Sequence, residues 1–223
     1  MQYRHEWKIA LSPADLPVLR QRLRLVMQPD CHAADGRYQI RSLYLDTPGD
    51  RALREKLDGV SRREKFRVRY YNGDRGFIQL EKKCKLAGLG WKEQCQLTEP
   101  QALAIAEGRF DALDAGDDTL LRELCCRAQS ELLRAKTIVD YTREPFVFGP
   151  GNVRVTLDYG IRTGLRCTDF LNPACPTVPA PDSGARMEVK WDAFLPDIIR
   201  DAVQLPGRQV EAFSKYAACR MYD

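Results

Sequence analysis

The residues of this chain best suited to chemistry are cations at alternate positions. In KFRVRY, Lys65, Arg67 and Arg69 fall on one face of a strand and Phe66, Val68 and Tyr70 on the other, because strand side chains alternate. FIQLEKK repeats the pattern, with Gln79, Glu81 and Lys83 opposite Ile78 and Leu80, and Asn72-Gly73-Asp74 supplies the turn. From Arg62 to Lys92 ten residues are Lys or Arg and three are Asp or Glu. Like charges at cross-strand spacing repel, so such a face is costly unless an anion lies among them. A chain of phosphates answers that need. Guanidinium forks grip phosphate oxygens in pairs and ammonium groups act as point charges, while a nearby carboxylate can hold Mg²⁺ or Mn²⁺ against the same oxygens. Phosphoryl transfer then asks for little beyond positioning and charge neutralisation.

The elements that must position these groups are further two-faced strands. YRHEWKIA sets Arg4, Glu6 and Lys8 against His5, Trp7 and Ile9, and YQIRSLYLDT sets Ser42, Tyr44 and Asp46 against Arg41, Leu43 and Leu45. GLGWKEQCQL aligns Lys92, Gln94 and Gln96; KTIVDYTREPFVF carries Arg143; NVRVTLDY carries Arg154, Thr156 and Asp158; ARMEVKW places Glu188 with Arg186 and Lys190. About eight such strands predict an α+β fold, a closed antiparallel barrel with a polar interior and helices outside. The converging cations are Lys8, Arg67, Arg69, Lys83, Lys92, Arg143, Arg154 and Lys190, with Glu6, Glu81 and Glu188 as the acids. Such an interior must hold water and anions, since unpaired buried charges are expensive.

Helices are expected in several places. One is capped by Ser12 with Pro13 at its first position and Leu16, Leu19 and Leu23 on its apolar side. Others cover 51–58 and the region from Glu99 to about Leu133, where Leu120, Leu121, Leu124 and Leu132 read as core contacts. LPDIIRDAVQ and GRQVEAFSKYAACRMY follow, the second apolar at Val210, Phe213 and Tyr216 or Ala217 and bearing Ser214 beside Lys215, a pair that spacing alone reads as a solvated edge. Leu165–Asp182, rich in Pro, Cys and Thr, reads as an irregular loop or lid. The acidic DALDAGDD stretch reads as a solvated loop, and His32 as a lone histidine rather than a metal ligand.

Length and balance frame this reading. The 223 residues suffice for a single domain over 1–223, and a net charge of +4 makes the basic cluster a local feature, unlike a protein that coats nucleic acid. The eight cysteines are scattered without metal-ligand spacing and are expected to be reduced. No apolar signal core or membrane-length run is present, so a cytoplasmic protein is expected.

Taken in order, YRHEWK, IRSLYLDT, EKLDG, REKFRVRYYN, IQLEKKCK with GLGWKE, VDYTREPF, VRVTLD, MEVKW and FSKY resemble the polyphosphate polymerase domain of the vacuolar transporter chaperone (VTC) proteins, in a stand-alone bacterial form. This family lies within the triphosphate tunnel metalloenzyme superfamily. The resemblance implies a tunnel-shaped barrel that binds a nucleoside triphosphate, typically ATP, and transfers its γ-phosphate to a growing inorganic polyphosphate. Carried over, it implies phosphate or nucleotide binding by Lys8, Arg67, Arg69, Lys83, Lys92, Arg143 and Arg154, with Lys190, Ser214 and Lys215 beside them. Catalysis falls to Lys8, Arg67, Arg69, Glu188 and Lys215, and Mn²⁺ or Mg²⁺ to Glu188, with Glu6 and Glu81 as further metal candidates. Triphosphate or pyrophosphate are further ligands, duplex nucleic acid is not, and a separate membrane-protein partner is compatible with the reading. Some members carry a lysine where this chain has Ala212.

Two rivals remain at this stage. An inorganic triphosphatase or polyphosphate hydrolase of the same fold would use water as acceptor. Hydrolytic relatives open with Glu-x-Glu-x-Lys, whereas this chain has Arg4, Glu6 and Lys8 in that register, which favours the polymerase. A non-catalytic module that binds polyphosphate or nucleotide would have little use for Glu188 among its cations.

Overall fold

The computed structural model describes residues 3–33 and 35–222; Met1, Gln2, Ala34 and Asp223 lie outside the described residues. In chain order the elements are β1 (His5–Leu11), α1 (Asp15–Val26), β2 (Gln28–Pro29), β3 (Tyr38–Asp46), α2 (Arg51–Leu57), β4 (Arg63–Tyr71), β5 (Ile78–Leu86) and β6 (Leu89–Leu97). There follow α3 (Glu99–Glu107), α4 (Thr119–Ser130), β7 (Arg134–Phe148), β8 (Val153–Thr163), β9 (Val178–Pro179), β10 (Ala185–Trp191), α5 (Asp197–Val203) and α6 (Lys215–Cys219). Eight strands form an antiparallel path in the order β1-β10-β8-β7-β3-β4-β5-β6, with the short β2 and β9 attached to β7 and β8.

The sheet curls until its end strands meet. Arg4 and Gly90 exchange backbone hydrogen bonds of 3.1 and 3.3 Å, and this isolated bridge joins the β1 edge to β6. The expected eight-stranded barrel is therefore present but not fully closed: among the described residues its seam is one bridge rather than a full ladder. At the β4–β5 turn, Asn72 and Gly73 take positive φ angles of 51° and 75°, a region glycine enters freely and asparagine more readily than most residues.

Apolar outer faces are covered by helices. Leu43, Phe66, Val68, Tyr70 and Leu80 pack with Ala102 and Ile105 of α3 and Leu120, Leu121 and Leu124 of α4. On the other side, Ile9, Val155, Leu157 and Met187 pack with Leu19 and Leu23 of α1 and Ile199 of α5. Thr98 and Gln101 form a reciprocal cap on α3, and Asp118 of the acidic stretch caps α4 by accepting from Leu121 N at 2.9 Å.

Four local expectations change. The first helix begins at Asp15, because Ser12 and Pro13 lie in a turn whose Ser12 N–H donates to Asp15 Oδ2 at 2.7 Å. Leu132 is exposed with φ 57°, and its neighbour Leu133 enters the core instead. The final helix spans only Lys215–Cys219; before it, Val210 bridges to Ile9 and Glu211 N donates to Lys8 O at 2.8 Å, so an extended segment leads into the barrel. The lid reading of 165–182 also fails. Phe170, Leu171 and Cys175 are buried in the outer cluster, and Arg41, Tyr70 and Arg75 donate to backbone carbonyls of the segment. Burying a phenyl ring is worth about 1.5–3 kcal/mol, which holds the segment on the outer wall.

Candidate functional site

The inward faces enclose a cavity of about 530 Å³ lined by Glu6, Lys8, Lys65, Arg67, Arg69 and Glu81. Lys83, Lys92, Arg143, Arg154, Lys190 and Ser214 complete the part of the wall anticipated from sequence. Glu188 and Lys215 sit just behind it, both buried, and are tied to it by ion pairs. Every anticipated site residue is thus brought to one place.

Register explains how. Tyr44, Arg67, Glu81 and Gln94 are successive cross-strand partners from β3 to β6, and Lys65, Lys83 and Lys92 form the next inward row. Lys8, Glu188 and Thr156 form a third row across β1, β10 and β8. A residue two places along a strand keeps the same face, so alternation in sequence becomes stacked rows in space.

Arg67 is fixed from two sides, donating Nε to Glu81 Oε2 at 2.5 Å and Nη1 to the Tyr44 hydroxyl at 3.0 Å. Arg69 donates Nε to Ser42 Oγ at 3.0 Å and Nη2 to the Tyr141 hydroxyl at 2.9 Å. Both guanidiniums are nearly closed off from solvent, at 4% and 3% exposure. Glu81 is fully buried; against the upward push of burial, Arg67, Arg69 and Lys92 hold its carboxyl well below the usual range. Such a buried pair is tolerable only while both partners are present.

A second knot lies across the barrel. Arg143 grips Asp158 with two bonds of 2.7 Å, and Lys215 reaches Asp158 Oδ2 at 2.6 Å and Glu188 Oε1 at 2.8 Å. Lys190 lies 3.3 Å from both Glu6 Oε1 and Glu188 Oε2. Ser214 caps α6 by accepting from Ala217 N, and Lys65 Nζ stands 3.5 Å from its hydroxyl. Arg154 is partly diverted, donating to Asp30 at 2.8 Å and to Tyr38 at 3.1 Å, while its buried Nε and Thr156 Oγ1 have no protein partner. Orphaned buried polar atoms mark places where water or a ligand completes the set.

The VTC domain pattern matches residues 3–222. The chain belongs to the VTC domain family. No curated protein matches it by sequence. Among solved structures, a candidate adenylyl cyclase from Hippeastrum with a dominant triphosphatase activity is similar at 14% identity, covering 98% of this chain and 95% of that one, with a TM-score of 0.54. A candidate adenylate cyclase from Bacillus halodurans follows at 13% identity, coverage of 85% and 82%, and TM-score 0.51. A protein from Pyrococcus horikoshii OT3 is similar at 13% identity, coverage of 95% and 96%, and TM-score 0.51. The VTC domain therefore shares the fold of these proteins.

The cavity of this VTC domain holds more than sequence reasoning assigned. Asp158, seen only as a member of a polar strand face, neutralises Arg143 and Lys215 together. Tyr44 and Tyr141 orient the two arginines, and Tyr38 and Tyr71 line the wall. Lys56, Arg63 and Lys85 also reach the cavity; the charge count over 62–92 included two of them, yet nothing in spacing set them apart. Burial, reinforced by Lys8 and Arg67, brings the Lys65 ammonium down to about 8. Against burial, Arg67, Lys65 and Arg69 bring the Tyr44 hydroxyl down to about 8 as well.

The donor set suits a hard divalent cation. Glu6 and Glu188 offer carboxylate oxygens around the single position now taken by the Lys190 ammonium, and carboxylates are the ligands such ions prefer. Glu188 is held meanwhile by Lys215 and Arg143, and Glu81 by Arg67 and Lys92. Asp30, Cys31 and His32 also bring ligand atoms within 4.8 Å of one another, but Asp30 is occupied by Arg154, Tyr38 and the His32 N–H. All eight cysteines are free, and no helix among the described residues is long and apolar enough to cross a membrane.

Proposed function

We propose that residues 1–223 act as one unit that binds a nucleoside triphosphate, ATP foremost, and transfers its γ-phosphoryl group to an inorganic polyphosphate inside the cavity. The observation that carries this reading is the pairing pattern on the inner wall. Arg67 and Arg69 are rigidly aimed by Tyr44, Ser42 and Tyr141, while Lys65 and Lys83 beside them have no carboxylate partner among the described residues. Fixed forks next to unsatisfied ammonium groups are what a chain of phosphates requires.

In the proposed reaction, Lys8, Arg67, Arg69, Lys83 and Lys92 bind and orient phosphate oxygens, and Arg143, Arg154 and Lys190 extend that surface. The bond from the γ-phosphorus to its bridging oxygen breaks as a terminal oxygen of the acceptor chain bonds to the same phosphorus, and the nucleoside diphosphate departs with the electron pair. Ser214 and Lys215 lie near the terminal phosphate, Lys215 from behind the wall, where Asp158 and Glu188 fix its charge in place. Glu188, with Glu6, would hold Mn²⁺ or Mg²⁺, which when bound neutralises charge on the phosphates.

Hydrolysis is the second reading, and the triphosphatase activity of the Hippeastrum protein favours it. Arg4 speaks against it: in the register where hydrolytic relatives carry an acid, its Nε pairs with Asp192 at 2.9 Å. Incubating the protein with ATP and Mn²⁺, then resolving polyphosphate on a gel and assaying free phosphate, separates the readings. A polyphosphate ladder with ADP supports the polymerase. Free phosphate in proportion to ATP consumed, without a ladder, moves the assignment to a hydrolase, and ATP binding without turnover leaves a binding module.

A further inference from the structure

Charge pairing divides the cavity into unlike parts. Arg154 is paired with Asp30, Lys92 with Glu81 and Arg143 with Asp158. The opposite holds where the end of α2 meets the start of β4 and the end of β5. There Lys56, Arg63 and Lys85 line the same cavity as Lys8 and Lys65, and none has a carboxylate within ion-pair distance among the described residues. Glu64, next to Arg63 in the chain, is held by Lys82 and Arg127. Arg63 and Lys85 are direct cross-strand partners, an arrangement that costs stability for like charges. Burial and then the charges of Arg63, Lys8 and Lys85 weaken the hold of Lys56 on its proton, so these groups feel one another. All three are only partly buried.

Arg63 lies four residues from Arg67 along β4, about 13 Å between Cα atoms at strand rise, with Lys65 between them on the same face. We propose that Lys56, Arg63 and Lys85 form a second anion station at this mouth, holding the distal phosphates of a linear inorganic polyphosphate whose near end lies against Arg67 and Arg69. The inference rests on the phosphate-binding reading of the cavity and adds a direction to it. The long ligand leaves through the mouth whose cations are unpaired.

The test compares inorganic tripolyphosphate with long-chain inorganic polyphosphate by calorimetry, on wild type, on Arg63→Ala and on the Lys56→Ala/Lys85→Ala double variant. Long-chain affinity should fall about tenfold in each variant, with a shallower salt dependence, while tripolyphosphate affinity and melting temperature stay at wild-type values. Lys56→Arg/Lys85→Arg should restore the long-chain affinity. Equal weakening of both ligands, or of neither, overturns the station, as does an equally tight single-stranded oligonucleotide that the double variant loses. Wild type that binds polyphosphate but not tripolyphosphate, with the variants losing it, leaves the station standing and sinks the triphosphate site. Wild type that binds neither sinks both.

Discussion

Lys82 and Lys83 are adjacent on β5 and face opposite sides of the wall. Lys82 points outward, 2.7 and 2.8 Å from the Glu123 oxygens and 3.5 Å from Glu64, over the Phe66 ring. Although burial opposes it, those acids raise its pKa. Lys83 points inward to no carboxylate, and the charge of Arg67, then burial, then Lys190 push its pKa well below the ordinary value. One lysine stabilises the fold and the other strains it. The outer wall neutralises its own charges; the inner wall leaves some for a ligand to neutralise.

Breaking the buried part of the inner wall should have the largest effect. Arg67→Ala breaks the buried pair with Glu81, leaving that carboxylate to Lys92 and Arg69; breaking a buried pair costs about 3–5 kcal/mol, read by urea unfolding, and triphosphate binding should vanish in calorimetry. Arg69→Lys keeps the charge but loses the fork to Ser42 and Tyr141, so a folded protein with about tenfold weaker binding is expected. Glu188→Gln should retain triphosphate binding but lower metal-dependent turnover about 10²–10³-fold, and equal activity with and without Mn²⁺ in wild type would remove the metal role.

The lysine pair gives a crossed test of smaller size. Lys83→Met should weaken tripolyphosphate binding about tenfold, the worth of one charged hydrogen bond, while raising the melting temperature. Lys82→Met should leave binding alone and cost about 1 kcal/mol. If both variants behave alike, inner and outer faces do not differ as described.

The mildest prediction concerns pH. Lys65 and Tyr44 both titrate near 8, so raising the pH from 7 toward 9 removes a positive charge from the cavity and adds a negative one. Tripolyphosphate affinity should fall across that interval, less so in Lys65→Arg or Tyr44→Phe. Stability should move the other way. Both folded values lie below the unfolded ones, so the unfolded chain binds more protons above pH 8, and the contribution of this pair to stability rises with pH. A flat affinity profile would show that neither group is near the anion.

The strands and their inner faces were legible because alternation is a local property: Lys65, Arg67 and Arg69 needed only each other to define a face. Partners were not legible, since register joins residues far apart. Arg154 could not be known to spend itself on Asp30, nor Lys215 to reach Asp158, from spacing alone. Val210, Phe213 and Tyr216 fit a helical period, yet Val210 bridges to Ile9 and Glu211 to Lys8 on β1, and helix begins only at Lys215. Pro and Cys mark 165–182 as the irregular loop it is, without saying which surface Phe170 will cover.

The order of strands also bears on how the molecule comes into being. β3, β4, β5 and β6 are consecutive in the chain and adjacent in the sheet, so they can pair as they emerge from the ribosome. β1 cannot, because its ladder partner is β10, almost a whole chain length later. Through most of synthesis the basic face of β4 and β5 is therefore an open sheet rather than a walled chamber. Until β1 docks, any passing polyanion meets charges that the finished protein reserves for its ligand.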